Sequence, residues 1–353
     1  FNVITFQRIS NDGLQWQNCE NLLSSTKFHV SSSGKIEDSP GMIQVDFANR
    51  FVGGGVLGNG AVQEEIRFLM SPEMIVAKLF TESLTDNEAL LMIGCEQFNK
   101  YTGYASSFRF DGNFLDQTPL DPYRRRKTRV VAIDALSYNN FYDQFRDQTI
   151  RRELNKAYVG FKGYEKSPIA TGLWGCGAFC GYTIRSALIQ LMACTATQRS
   201  LVFYTFGDEQ VRDEIADIFT FLTINNVTVE QLYKVLKRYR YDGDPKDPTK
   251  LISFIKKETE IKRSTSISSQ KPIQTMTGQQ KLFDFSFTKT NNSLMSQNSP
   301  ESSAEKIVSI QQKFNEFEDV FKDYIKPKPQ VSSETKKVES KKSLLDCLDE
   351  DFK

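Results

Sequence analysis

From about residue 3 to residue 255 the chain alternates short apolar runs with segments that repeat apolar residues at helical spacing. The runs Ile43 to Phe47, Ala89 to Gly94, Thr128 to Asp134 and Ser200 to Phe206 are bounded by turns or charges, as buried strands are. Between and after them come helices. In one, Ile184, Ala187, Leu188, Leu191 and Met192 fall on one face. In another, Thr228-Val-Glu-Gln231 has the form of a capping box, and Leu232, Val235, Leu236 and Tyr239 follow in period. Strands alternating with helices imply an α/β layered domain, with any ligand site in loops at strand ends.

Composition narrows the chemistry. At 353 residues, 39% hydrophobic and 25% charged, the chain can bury a core in one large or two smaller domains. Lys plus Arg is 45 against 44 Asp plus Glu, so no global field points to nucleic acid or a membrane. An anionic partner must be gripped locally. The six cysteines are scattered, and Cys176-x3-Cys180 lacks a partner pair, which fits a reducing compartment. The longest apolar runs fall far short of a membrane span, and no signal peptide is evident. Because the chain starts at Phe1 without Met, we expect a fragment whose upstream part is missing. The single histidine, His29, reads as an ordinary strand or surface residue, which argues against a Ser-His-Asp triad or a His-rich zinc site. Any catalysis then falls to carboxylates, tyrosines and backbone amides.

After about Glu260 the sequence turns polar, rich in Ser, Thr, Gln and Lys, without a periodic apolar face. We expect a folded domain over 1–258 and a mostly disordered tail over 259–353. A short helix is expected near 305–325, where Ile307, Ile310, Phe314, Phe317, Val320 and Phe321 recur before Pro327 and Pro329.

Two glycine-rich stretches stand out. Gly53-Gly54-Gly55, seven further residues and then Gln63-Glu64-Glu65 follow the predicted strand that holds Asp46. Glycines at a strand end let the backbone approach a phosphate, although a plain flexible turn fits as well. The spacing is neither a Walker loop nor a dinucleotide fingerprint. Neighbouring carboxylates on a helix point about 100° apart. Glu64 and Glu65 therefore suit unequal jobs, one binding sugar hydroxyls and one handling protons, or else are two solvated charges at a helix start. In the second stretch Gly172, Gly175, Gly177 and Gly181 precede a helix beginning near Thr183. It could cradle phosphate at a helix N-terminus, or simply pack Trp174 in a tight turn. Two such loops suit a ligand with a diphosphate centre.

The stretch GGGVLGNGAVQEE resembles the GGG-x(6–8)-QEE signature of poly(ADP-ribose) glycohydrolases. VDFANRFVGGG, QEEIRFLMSPE, YTGYASSF, VVAIDAL, RRELNKAYVGF, ATGLWGCGAF and YTFGD resemble the same family in the same order, from about Val3 to Lys256. The resemblance implies a macrodomain-like three-layer α/β/α sandwich with a mixed sheet. It implies an exo-acting hydrolase that cuts ribose–ribose bonds of protein-attached poly(ADP-ribose) and releases ADP-ribose, with no cofactor and no metal. By the same resemblance Glu65 is the acid/base, Glu64 and Asn49 hold ribose hydroxyls, and Asp46 is a supporting carboxylate. Gly53, Gly54 and Gly55 would wrap one side of the diphosphate, and Gly175, Cys176, Gly177, Ala178 and Phe179 the other. Glu37 and Gln63 resemble polar contacts to adenine, and Tyr104 and Phe206 its aromatic walls. A monomer in the nucleus or cytoplasm, with a place in the DNA damage response, is what such a family member implies.

The chain departs from the family pattern at Leu173, usually Asn, and at Cys180 and Tyr182, usually Gly and Asp. The run Tyr123 to Lys127 has the composition of a nuclear address but precedes a strand inside the domain. In the tail, Gln279, Leu282 and Phe285 resemble a sliding-clamp-binding motif whose second aromatic is displaced to Phe287. Two rival readings stay open: a macrodomain that binds ADP-ribose without hydrolysis, and a hydrolase for mono(ADP-ribose) on side chains.

Overall fold

The structure, a computed structural model, describes residues 2–163 and 166–268. The expected helix near 305–325 and the motif of Gln279, Leu282 and Phe285 lie outside the described residues. In chain order the strands are β1 (Thr5–Ser10), β2 (Phe28–Ser31), β3 (Ile43–Ala48), β4 (Glu88–Ile93), β5 (Asn99–Thr102), β6 (Arg109–Asn113), β7 (Arg129–Asp134), β8 (Ile169–Gly172) and β9 (Leu201–Tyr204). The helices are α1 (Gln63–Met70), α2 (Asp147–Lys162), α3 (Thr183–Thr197), α4 (Glu209–Ile224), α5 (Val229–Asp242) and α6 (Leu251–Ser268).

Seven strands form one sheet in the order β1-β4-β7-β3-β8-β9-β2, and β5 and β6 form a separate hairpin. From β7 to β2 the neighbours are parallel, while β4 runs antiparallel to both β7 and β1. The sheet is mixed, as expected. Its middle strands are mostly apolar because both faces are covered, with Gln44 and Asp46 of β3 among the polar exceptions. Along β7, Val131 and Ile133 enter the core that α2, α3, α4 and α5 complete, whereas Val130 and Ala132 enter the core with Phe68 of α1 and Met74. Alternation within a strand thus serves two layers at once. In β3, Ile43 and Val45 face the first core and Ala48 the second, which turns Asp46 toward α1.

The capping box at α5 forms as read: Thr228 Oγ1 accepts from the Gln231 N–H at 3.2 Å, and Gln231 Oε1 from the Thr228 N–H at 3.1 Å. His29 lies in β2, half-buried, paired with Val202. Two differences from expectation bear on the site. Gly172, expected in a loop, is the last residue of β8. The run to Phe206 stops at Tyr204 because Phe206 and Gly207 take positive φ of 51° and 98°, which a strand cannot continue. In the basic run, Arg125 pairs with Asp121 at 2.8 Å and Arg126 with Glu96 at 2.7 Å. Among the described residues no helix is long and apolar enough to cross a membrane.

Candidate active site

The loops after β3, β7, β8 and β9 all leave the C-terminal ends of parallel strands, so they meet at one edge of the sheet. After Ala48 the chain wraps through the glycines and returns as α1, whose first residue locks the loop in place. Gln63 Oε1 accepts from the Phe47 N–H at 2.8 Å and its Nε2 donates to the Val45 carbonyl at 3.1 Å. These groups lie on the edge of β3 that pairs with β8 only through Gln44. The Gln63 carboxamide therefore extends the ladder as one more strand residue would.

Glu64 and Glu65 differ in what they hold. Glu64 Oε1 accepts from the Gly53 N–H at 2.6 Å and Oε2 from the Asn49 N–H at 2.8 Å. Glu65 Oε1 accepts from the Gly55 N–H at 2.9 Å, and Oε2 from the Val62 N–H at 3.1 Å, capping its own helix. The Asn49 side-chain carbonyl accepts from the Phe51 N–H at 3.0 Å. The glycines are explained by this closeness. A Cβ on Gly54 would stand 2.4 Å from Glu65 Oε1 and 2.7 Å from Glu64 Oε2, and one on Gly60 2.7 Å from Glu65 Cγ. Lys78, which sequence reasoning missed, donates to the Gly54 carbonyl at 2.9 Å and pins the loop from outside.

Behind the pair sits Asp46, completely buried, with neither carboxyl oxygen accepting a hydrogen bond from a protein donor. Burial pushes its carboxyl up to about 8; Arg67 opposes the shift and the charge of Glu65 adds to it. Burial, then Asp46, likewise raises Glu64 well above the carboxylate range, against the pull of the Asn49 and Gly53 N–H groups. Exposure rises from 0% at Asp46 through 2% at Glu64 to 7% at Glu65, so Glu65 is the most accessible of the three.

Around this centre, Glu37 Oε1 accepts from the Tyr101 hydroxyl at 2.8 Å, and Lys35 Nζ lies 3.7 Å over the Tyr101 ring. Tyr101 was missed; the YTGY stretch carries two tyrosines and sequence reasoning favoured Tyr104 alone. Tyr104 is half-exposed and joined to the first loop through the following residue, whose N–H donates to the Ala61 carbonyl. Partial burial raises its phenol, the Gln63 backbone opposes and the Glu65 charge adds. Phe206, also half-exposed, lies over the end of β8: a Cβ on Gly172 would stand 2.8 Å from its ring.

The second loop is closed by its own backbone. Gly181 N–H donates to the Gly175 carbonyl and Cys180 N–H to Gly177, both at 2.9 Å, while the Phe179 carbonyl accepts from the Tyr138 N–H at 3.1 Å. Half-buried Cys176 donates its Sγ hydrogen to the Trp174 carbonyl, and burial raises its thiol to about 12, which disfavours the thiolate. Ala178 lies at the exposed crest of this loop. Gln144, another residue not anticipated, grips the loop's end by accepting from the Tyr182 N–H at 2.7 Å and donating to the Cys180 carbonyl at 3.0 Å. Trp174 is buried and donates to the Ile133 carbonyl at 2.9 Å, so the loop packs Trp174 as well as presenting an outer face. Among the described residues no group of three or more His, Cys, Asp or Glu is arranged to hold a metal ion.

The sequence model of a family described as poly(ADP-ribose) glycohydrolase, macro domain fold, matches residues 14–213. The chain is 32% identical over 312 residues to poly(ADP-ribose) glycohydrolase 1 of Arabidopsis thaliana, covering 67% of this chain and 56% of that protein. It is 38% identical over 221 residues to poly(ADP-ribose) glycohydrolase 2 of Caenorhabditis elegans, covering 57% and 44%. A probable poly(ADP-ribose) glycohydrolase 2 of Arabidopsis thaliana is 32% identical over 267 residues, covering 64% and 50%. The chain thus spans about half the length of these curated relatives.

Proposed function

The chain belongs to the poly(ADP-ribose) glycohydrolase family, and we propose that it hydrolyses the ribose–ribose bonds of poly(ADP-ribose) with Glu65 as acid and base. The observation that carries this reading is the graded carboxyl stack. Glu65 is the least buried member, oriented by two backbone N–H donors, with Glu64 and Asp46 deeper behind it. In the proposed reaction Glu65 gives its proton to the 2′-oxygen of the leaving ribose as the bond to the anomeric carbon breaks. The oxocarbenium-like sugar is then attacked by water, and Glu65 recovers a proton from that water. Glu64 and Asn49 hold ribose hydroxyls against Glu65, and the two glycine loops flank the diphosphate. Tyr104 and Phe206 border the adenosine, near Glu37 and Tyr101.

The test is to follow ADP-ribose release from protein-attached poly(ADP-ribose). Glu65→Gln is expected to lower the rate by about 100-fold or more, the scale of general acid–base catalysis, while still binding ADP-ribose. Release by the mutant at the unmutated rate removes Glu65 from the mechanism. Tight binding without release by the unmutated chain makes it a reader instead. Metal independence belongs to the same proposal: a chelator such as EDTA should leave the rate unchanged.

A further inference from the structure

Arg185 stands in the first turn of α3, 2% exposed, and its Nε and Nη2 meet no hydrogen-bond partner in the protein. The Tyr138 hydroxyl likewise has no partner at full hydrogen-bond geometry; its polar neighbour is Arg185 itself, whose guanidinium carbon lies 5.4 Å from the Tyr138 ring centroid. Both residues line a small cavity of about 10 Å³ together with Glu153, Trp174, Gly175 and Gly181. Gly175 and Gly181 are the two residues that close the second glycine loop on itself. The buried guanidinium thus lies directly behind that loop.

The charges around it do not balance. Arg152 pairs with Asp134 at 2.5 Å and with Glu153 at 2.7 Å, and Lys156 pairs with Asp134 at 2.6 Å. With Arg185 this makes three buried or nearly buried cations against two buried carboxylates. Asp86 pairs with Arg152 at 3.0 Å, but its side chain is 80% exposed and offsets little in the interior. A guanidinium buried without full pairing is costly unless an anion nearby offsets it.

We propose that Arg185 is a positioning residue that acts through the Gly175–Gly181 loop, making the loop's outer face favourable for the diphosphate of ADP-ribose. The proposal rests on the reading that ADP-ribose binds between the two glycine loops. Its specific consequence is that Arg185 discriminates diphosphate-bearing ligands from the bare nucleoside. Glu153 keeps Arg152 and the Leu136 N–H as partners without Arg185, so the neutral variant retains a paired core.

Calorimetric titrations of the unmutated chain, Arg185→Gln and Arg185→Lys with ADP-ribose and with adenosine test it. Arg185→Gln should bind ADP-ribose on the order of tenfold more weakly, the effect of one charge across a loop at intermediate dielectric. Adenosine affinity should be unchanged, and Arg185→Lys should recover most of the ADP-ribose affinity. Unchanged ADP-ribose binding by Arg185→Gln overturns the inference and leaves the functional reading intact. An equal loss for both ligands, or no recovery in Arg185→Lys, overturns it too, because a purely structural role would produce either. If the unmutated chain binds adenosine but not ADP-ribose, the functional reading fails and takes the inference with it.

Discussion

Asp46 shows how a single residue ties stability to the site. Its carboxyl is buried with no protein donor, so the charged form is disfavoured and the folded-state value rises to about 8. The unfolded chain releases that proton near the ordinary carboxyl value of about 4. Between these values the folded state holds a proton that the unfolded state lacks, so raising the pH destabilises the fold. Replacing Asp46 by Asn removes the Asp46 share of this dependence and relieves Glu64 of the Asp46 charge, while burial still raises Glu64. Denaturation of both forms from pH 4 to pH 8 should show the stability of the unmutated chain, relative to Asp46→Asn, falling with pH by up to about 1.4 kcal/mol per unit. A difference that stays flat across that range would mean Asp46 is not neutral in the fold. Glu64 and Glu65 stand out in the sequence because glycines next to carboxylates are an unusual local pairing, whereas Asp46 is marked only by the family resemblance. Sequence reasoning did not find Arg67, Lys78 or Gln144, since an isolated Arg, Lys or Gln reaching back from another element leaves no local mark.

At the scale of elements, legibility followed burial. β3, β4, β7 and β9 carry apolar runs covered on both faces and could be read directly. β1 is an edge strand with polar residues interleaved, and the β5–β6 hairpin is largely exposed, so neither has the pattern of a buried strand. The second loop was found by its glycines, yet its hardest backbone position is not a glycine. Cys180 takes a φ of 55°, in the left-handed region that favours glycine. That conformation costs a residue with a Cβ about 1–2 kcal/mol, partly offset by the greater freedom glycine has when unfolded. Cys180→Gly should therefore stabilise the chain by about 0.5–1 kcal/mol, a rise of a few degrees in melting temperature. Cys180→Ala is the control, since it removes the thiol and keeps the Cβ. An equal gain in both variants would assign the effect to the thiol and not to the backbone.

Across the whole molecule, the site exists because two layers hold the ends of two adjacent strands, β3 and β7. The α1 layer holds β3 through Gln63, and the α2 layer holds β7 through the ion network at Asp134. Lys156 is the deepest link in that network. Its side chain is fully buried, and Nζ donates to the Thr85 carbonyl at 2.5 Å and the Glu88 carbonyl at 2.8 Å, besides pairing with Asp134. One lysine thus joins α2, the end of β7 and the start of β4, whose chain directions are opposite. Lys156→Met fills similar volume but strands Asp134 on one side and removes the donor to both carbonyls. Breaking a buried pair by removing one partner costs about 3–5 kcal/mol. Because Asp134 keeps Arg152, the lower end of that range is expected, about 3 kcal/mol, read as a shifted urea midpoint with an unchanged slope. The loss should be smaller in an Asp134→Asn background, where no carboxylate is left unpaired. A Lys156→Met variant within about 0.5 kcal/mol of the unmutated chain would show that this lysine is not what holds β4 and β7 to α2.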